Sequence, residues 1–344
     1  MVVKTDASGH AQWNVTLSDP QSFTLWDAFE TSDGGYILAG EGFNASDPFQ
    51  HTGVCLIKLS EKGVPLWNRT YGFFFIPMCA EQTADGGYIL TGDHPSGINL
   101  LKVDSNGDIQ WNNTYGGGLS VLVHQLSDGG YIVAGQDYEG RLFLLWTDPA
   151  GNMVSNHTYG EMISSTQTCI SAIATSDGGY VITAINGSNL VLDKIASNGT
   201  LLWQQTYGGN WVGDFWLFGR GCGIQQTSDG GYIISGTTAK PPNNDSYPSL
   251  LKVDGRGAVL WMKSNYEASF SSEWSYSVVQ SPDGGYVVAG IDASHASSAF
   301  IAKLAASPTY ASPSPLFMSL VVAVALELEA LVLLVVIAVN RKVH

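Results

Sequence analysis

Hydrophobic and polar residues alternate along this chain in short bursts that halt at a glycine pair, and the halt is nearly the same each time. The phrase TSDGGYILAG (31–40) returns as TADGGYILTG, LSDGGYIVAG, TSDGGYVITA, TSDGGYIISG and SPDGGYVVAG. Its aspartate stands at Asp33, Asp85, Asp128, Asp177, Asp229 and Asp283, roughly every 50 residues. Each repeat reads as four short strands. An apolar run precedes Asp-Gly-Gly, which supplies the positive-φ residues of a tight hairpin. YILAG follows as the second strand. A third run reads LIKLS, LLKVD, LLWTD, LDKIA, LLKVD or FIAKL, and a fourth ends in Trp: EKGVPLW, SNGDIQW, SNGTLLW and GRGAVLW.

A four-stranded sheet with two apolar faces cannot bury both by itself, so copies must stack face to face. The pattern therefore predicts an all-β, six-bladed β-propeller. The repeated Tyr and Trp are expected as wedges between neighbouring blades, because each interface poses the same packing problem. The opening VVKTDASGHAQW matches a third and fourth run, so the strand around Trp13 is expected to complete the last blade. The leftover VVK run allows seven or eight blades if the natural start lies upstream. Lys58, Lys102, Lys194, Lys252 and Lys303 recur on the third strand, with Trp146 in their place in the third repeat. The repeated Asp invites an ion pair with this Lys, but Asp128 remains where Trp146 replaces Lys, so the simpler reading has each Asp capping its own turn and each Lys laying its stem over apolar surface with its head in water.

The runs LxxxxGxxxW resemble the tryptophan-docking motif of pyrroloquinoline-quinone (PQQ)-like propeller repeats. The whole repeat, DGGYILAG through LIKL to WNxTYG, is similar to that of large prokaryotic surface and secreted β-propeller proteins. The resemblance spans about Met1 to Leu304 and implies a fold, not an activity. Quinone-dependent dehydrogenases of the wider superfamily use adjacent paired cysteines and a calcium site. This chain has no Cys-Cys pair, so neither that activity nor its cofactors are implied, and no cofactor is expected.

The domains expected are a propeller over 1–305, a Pro/Ser stalk over 306–315, a transmembrane helix over 316–340 and a cytoplasmic tail over 341–344. LFMSLVVAVALELEALVLLVVIAV (316–339) is long enough to cross a bilayer, and Arg341 and Lys342 favour a cytoplasmic end. The reading is a single-pass cell-membrane protein with an extracellular propeller, although no signal peptide stands at Met1. Glu327 and Glu329 lie mid-span, either as a contact for a partner helix or as protonated groups in a marginal anchor. The net charge of −15 resides on the body. It argues against nucleic acid as a partner.

Eight sequons, at Asn14, Asn44, Asn68, Asn112, Asn156, Asn186, Asn198 and Asn244, suit an exported glycoprotein. The irregular loops FTLWDAF, YGFFFIPM, NWVGDFWLFGRG and FSSEWSY are expected at one mouth of a central channel. They bring Trp26, Asp27, Phe74, Trp211, Asp214, Phe215, Trp216, Glu273 and Trp274 as a candidate ligand-binding set, in which aromatics stack on sugars and carboxylates bind hydroxyls. The competing reading is a hydrophobic plug under long loops. No residue is singled out as catalytic. The seven histidines lack metal-ligand spacing, so no metal is expected. Cys55, Cys79, Cys169 and Cys222 include no CxxC, and a Cys169–Cys222 bridge is an open option. The favoured function is binding or adhesion towards glycans or proteins. The alternatives are a polysaccharide-acting enzyme and a structural cell-envelope protein.

Overall fold

The computed structural model describes residues 2–305, apart from the segments 7–9, 18–20, 45–46, 73–74, 160–169, 213–221, 241–244, 265–272 and 293–297. The expected stalk, membrane helix and tail lie outside the described residues. No described helix is long and apolar enough to cross a membrane. The chain divides into two compact units, one running to Gly160 and the other starting at Glu161.

In the first unit, Val2–Thr5 pairs with Ala11–Val15 in a two-stranded sheet, so the Trp13 strand has its sheet partner next to it in sequence. Three four-stranded antiparallel blades follow. Blade one comprises Gln21–Glu30, Tyr36–Asn44, Asp47–Leu59 and Pro65–Tyr71. Blade two comprises Ile76–Gln82, Tyr88–His94, Gly97–Val103 and Ile109–Tyr115. Blade three comprises Gly118–Gln125, Tyr131–Asp137, Leu142–Thr147 and Met153–Tyr159. In the second unit, blade four comprises Ile170–Ala174, Tyr180–Asn186, Asn189–Ile195 and Leu201–Tyr207. Blade five (Cys222–Gln226, Tyr232–Lys240, Asp245–Val253 and Val259–Ser264) gains a short extra strand, Trp211–Val212, on the edge of its second strand. Blade six comprises Glu273–Gln280, Tyr286–Asp292 and Ser298–Leu304, a three-stranded sheet.

The two glycines of each Asp-Gly-Gly are needed for different reasons. In blade one the turn is closed by Thr31 N–H to Gly35 O and Gly34 N–H to Thr31 O. Only Gly34 has a positive φ, +78°, which a side chain would strain. Gly35 has no such φ, but a Cβ there would lie 2.4 Å from Leu59 O and 2.8 Å from Lys58 Nζ. The first glycine makes the bend, and the second lets the third strand pass underneath.

That passage corrects the expectation for the lysines. Lys58, Lys102, Lys194 and Lys252 are buried, their heads tucked beneath the turn and away from water. Lys58 Nζ donates to Asp33 Oδ1 at 2.8 Å and to the Thr31 hydroxyl, which in turn donates to Asp33 Oδ1 at 2.6 Å. Lys102–Asp85, Lys194–Asp177 and Lys252–Asp229 repeat the pair at 2.8–3.0 Å. Burial pushes the Asp33 carboxyl upward, but hydrogen bonds from Lys58, Thr31 and the Gly35 N–H outweigh it and hold it at about 2. Asp85, Asp177 and Asp229 are likewise held at about 2.

The aromatic wedges are where the repeat places them. Trp13 meets Tyr36 edge-on with ring centroids 5.5 Å apart, and Trp67–Tyr88, Trp111–Tyr131, Trp203–Tyr232 and Trp261–Tyr286 repeat the contact at 5.6–6.3 Å. Each Trp thus packs on the Tyr of the next blade. The glycine of the turn before the next fourth strand is its dock: a Cβ on Gly63 would lie 2.6 Å from Trp13, and one on Gly151 would lie 2.8 Å from Trp111. The Tyr71 and Tyr207 hydroxyls donate to Gly107 O and Gly257 O, both at 2.7 Å. Gln82 and Gln226 reach back to accept the Ser32 and Ser176 N–H groups at 2.7 and 2.8 Å. Around these links lie apolar clusters shared by successive blades, such as Ile37, Leu56 and Tyr71 with Tyr88, Leu90 and Leu101. Each such buried side chain contributes about 1.5–3 kcal/mol.

Candidate functional site

Trp26 and Asp27 sit in the first strand of blade one, at a bulge between Leu25 and Asp27. Trp26 is buried, and its indole N–H donates to Glu41 Oε1 at 3.1 Å, with Glu41 also buried. Asp27 spends both oxygens on backbone: Oδ1 accepts from Ala28 N–H at 2.8 Å, and Oδ2 accepts from Ala80 N–H of blade two at 2.8 Å. This carboxylate joins two blades. Asp93 does the same one blade later, accepting from Ser120 N–H at 2.9 Å.

Trp211 lies in the second unit, fully buried among Ile185, Leu190, Tyr207 and Leu251. Its backbone N–H donates to Ser188 O at 3.0 Å, so the extra strand plugs the gap between blades four and five. Glu273 and Trp274 open the first strand of blade six, opposite Asp292 and Ile291. Phe74, Asp214, Phe215 and Trp216 lie outside the described residues. Trp26 and Asp27 are therefore neighbours on one strand, and Trp211 belongs to a separate core in the other unit.

Two polar sites escaped the sequence reading. Glu81 Oε2 lies 2.9 Å from His124 Nδ1 between blades two and three, and Glu81 Oε1 accepts from Gln125 N–H at 3.3 Å. The signal was available: Glu81 and His124 occupy one repeat position, each just before the glutamine that precedes the turn. In blade four, Asp193 is buried where Ile57, Leu101 and Leu251 stand in other blades. Burial pushes its carboxyl above the usual range, partly offset by Gln204, its partner on the next strand. No group of three or more His, Cys, Asp or Glu side chains that could hold a metal occurs among the described residues.

Of the sequons, Asn14, Asn68 and Asn156 are exposed on fourth-strand positions, next to the half-buried Trp13, Trp67 and Ser155. Asn112, at the same position, is half-buried with a shielded Oδ1. Asn186 and Asn198 are exposed in hairpins of blade four. Asn44 ends the second strand of blade one, Asn244 lies outside the described residues, and so do Cys169 and the side chain of Cys222. Cys55 and Cys79 are thiols outside any disulfide, with burial pushing Cys55 far up.

No family model matches the chain, and no curated protein matches it. Among solved structures it is similar to a protein of unknown function from Dyadobacter fermentans, with TM-score 0.53 and 13% identity over 88% of this chain and 96% of that one. It is also similar to a protein of unknown function from Bacteroides caccae, with TM-score 0.51 and 13% identity over 74% and 86%. A third is the Dos1 propeller, with TM-score 0.51 and 11% identity over 84% and 68%. The chain is a six-bladed β-propeller. At these identities the likeness concerns fold alone, and the PQQ-like resemblance of the repeat has no family match behind it.

Proposed function

We propose that this propeller is a membrane-anchored, extracellular binding or adhesion module for glycans or proteins, related to prokaryotic surface propellers of PQQ-like repeat. The observation that carries the reading is where its carboxylates go. Asp33, Asp85, Asp177 and Asp229 are tied to buried lysines, and Asp27 is tied to two backbone N–H groups. Acids held this way build a scaffold and do not offer a proton to a substrate. The scaffold is regular, and the sequence varies most from repeat to repeat in the stretches that carry Phe74, Asp214, Trp216, Glu273 and Trp274. That division, a fixed frame with variable aromatic stretches, suits recognition.

The apolar run 316–340 supports an anchor, with Glu327 and Glu329 available to a partner helix. Sequons exposed on outer strands support an exported, glycosylated surface. The acidic body disfavours nucleic acid. The test applies the full chain in lipid nanodiscs to a glycan array and to extracellular proteins of its host. Retention on a defined ligand, lost in Trp216→Ala and Trp274→Ala, is the expected result. Release of reducing ends from a polysaccharide, abolished by Asp214→Asn or Glu273→Gln, would replace this reading with the enzymatic one.

A further inference from the structure

The eight sequons are not equivalent once the chain has folded. Asn68, Asn112 and Asn156 lie inside fourth strands, with their backbones laddered to Ile57, Leu101 and Leu145. A glycosyltransferase must draw the acceptor segment into its own cleft, and these segments are held by cross-strand hydrogen bonds. Asn186 is in a two-residue hairpin, but it pairs with Asn189, and Ser188 O is tied to Trp211 N–H. Asn198 differs. It lies in the turn between Asn189–Ile195 and Leu201–Tyr207, outside either strand, and it is exposed.

The sequence explains the local shape. In the matching turns of blades two, three and five an aspartate opens the turn and accepts the closing N–H: Asp104 from Asp108, Asp148 from Asn152 and Asp254 from Ala258, at 2.8–2.9 Å. Blade four has Ala196 there, whose side chain cannot accept. Asn198 takes over the capping, with its Oδ1 accepting from Thr200 N–H at 3.0 Å. The sequon Asn198-Gly199-Thr200 is therefore pre-bent, with its amide side chain and its Thr residue held together on an exposed turn.

We propose that Asn198 is an N-glycan acceptor that stays competent in the folded protein, whereas Asn68, Asn112 and Asn156 accept sugar only before their strands pair. The proposal rests on the reading of an exported glycoprotein. In the transfer, Asn198 Nδ2 attacks the anomeric carbon of a lipid-pyrophosphate-linked oligosaccharide. The C–N bond forms as the C–O bond to pyrophosphate breaks, the lipid pyrophosphate leaves, and the Nδ2 proton passes to a base of the transferase.

The test incubates the purified full chain, folded in detergent, with a single-subunit oligosaccharyltransferase and a lipid-linked oligosaccharide, and reads each site by glycopeptide mass spectrometry. The heat-denatured chain is run beside it. Occupancy at Asn198 in the folded chain should exceed that at Asn68, Asn112 and Asn156 by about tenfold or more, since a paired strand must first open locally. In the denatured chain the four should fall within about threefold of one another once the ladder no longer protects them. Thr200→Val destroys the sequon but keeps the backbone N–H that Asn198 caps, and it should abolish only the Asn198 signal. Equal occupancy of strand and turn sequons in the folded chain would overturn the proposal, as would an unmodified Asn198 there alongside a modified one after denaturation. Protein from its own cells that lacks glycan, with the in vitro preference intact, would instead overturn the export reading.

Discussion

Blade one and blade three make the same turn with different chemistry beneath it. In blade one, the buried Thr31 and Lys58 are bonded to the exposed carboxylate of Asp33, and Trp67 wedges against the next blade. In blade three, Leu126 stands for Thr31, Trp146 for Lys58 and Ser155 for Trp67. The turn is nonetheless unchanged: Leu126 N–H bonds to Gly130 O at 2.8 Å, and Gly130 N–H bonds to Asp128 Oδ1 at 2.9 Å. Trp146, with its lysine gone, finds His157 edge-on at 5.3 Å. The hairpin is therefore specified by Asp-Gly-Gly, and Thr with Lys is an attachment that is lost as a set. A lone Thr→Leu would leave a buried ammonium short of an acceptor, so the replacements must come together.

If the turn is common to both blades, its second glycine should matter equally in each. Gly35→Ala and Gly130→Ala both drive a Cβ into backbone, 2.4 Å from Leu59 O and 2.3 Å from Thr147 O. Each should cost about 3 kcal/mol or more, read by urea unfolding. A large cost in blade one with little in blade three would break the comparison. Trp203→Ala removes a wedge from Tyr232 and should cost about 3 kcal/mol.

The network itself is tested by a double-mutant cycle. Thr31→Leu should destabilise by about 1–2 kcal/mol, because Lys58 loses an acceptor. Adding Lys58→Met should recover part of that loss, and strict additivity would show that the two residues do not act as a set.

Acid supplies a further contrast. Asp33, Asp85, Asp177 and Asp229 are held at about 2, below the ordinary value of about 3.9. Their contribution is complete above about pH 4 and is lost as pH falls through about 2. Thermal midpoints should drop across that window, and the drop should shrink when Lys58, Lys102, Lys194 and Lys252 are all changed to Met. The carboxylates are largely exposed, so solvent screening keeps the share of each modest. Gly34→Ala should cost less than Gly35→Ala: its φ of +78° is strained for Ala, but the nearest atom to the new Cβ is Glu61 Cγ at 4.0 Å, so about 1–2 kcal/mol is expected.

The repeat phrase by itself determined the all-β class, the hairpins, the six repeats and the Trp–Tyr wedges, because an identical local pattern meets an identical neighbour in each copy. What it misjudged was depth. Lysine on a strand reads as a snorkelling surface residue, and only the close passage of the third strand under Gly35, Gly87, Gly179 and Gly231 turns its head inward onto Asp. The candidate site was less legible. Trp26, Asp27 and Trp211 read as ligand groups, and tertiary structure gave each a fixed duty: Trp26 to Glu41, Asp27 to Ala28 and Ala80, and Trp211 to the core between blades four and five. Residue type announces what a side chain can bond to, but the partner is chosen by strands distant in sequence, and that choice is made only when the blades stack.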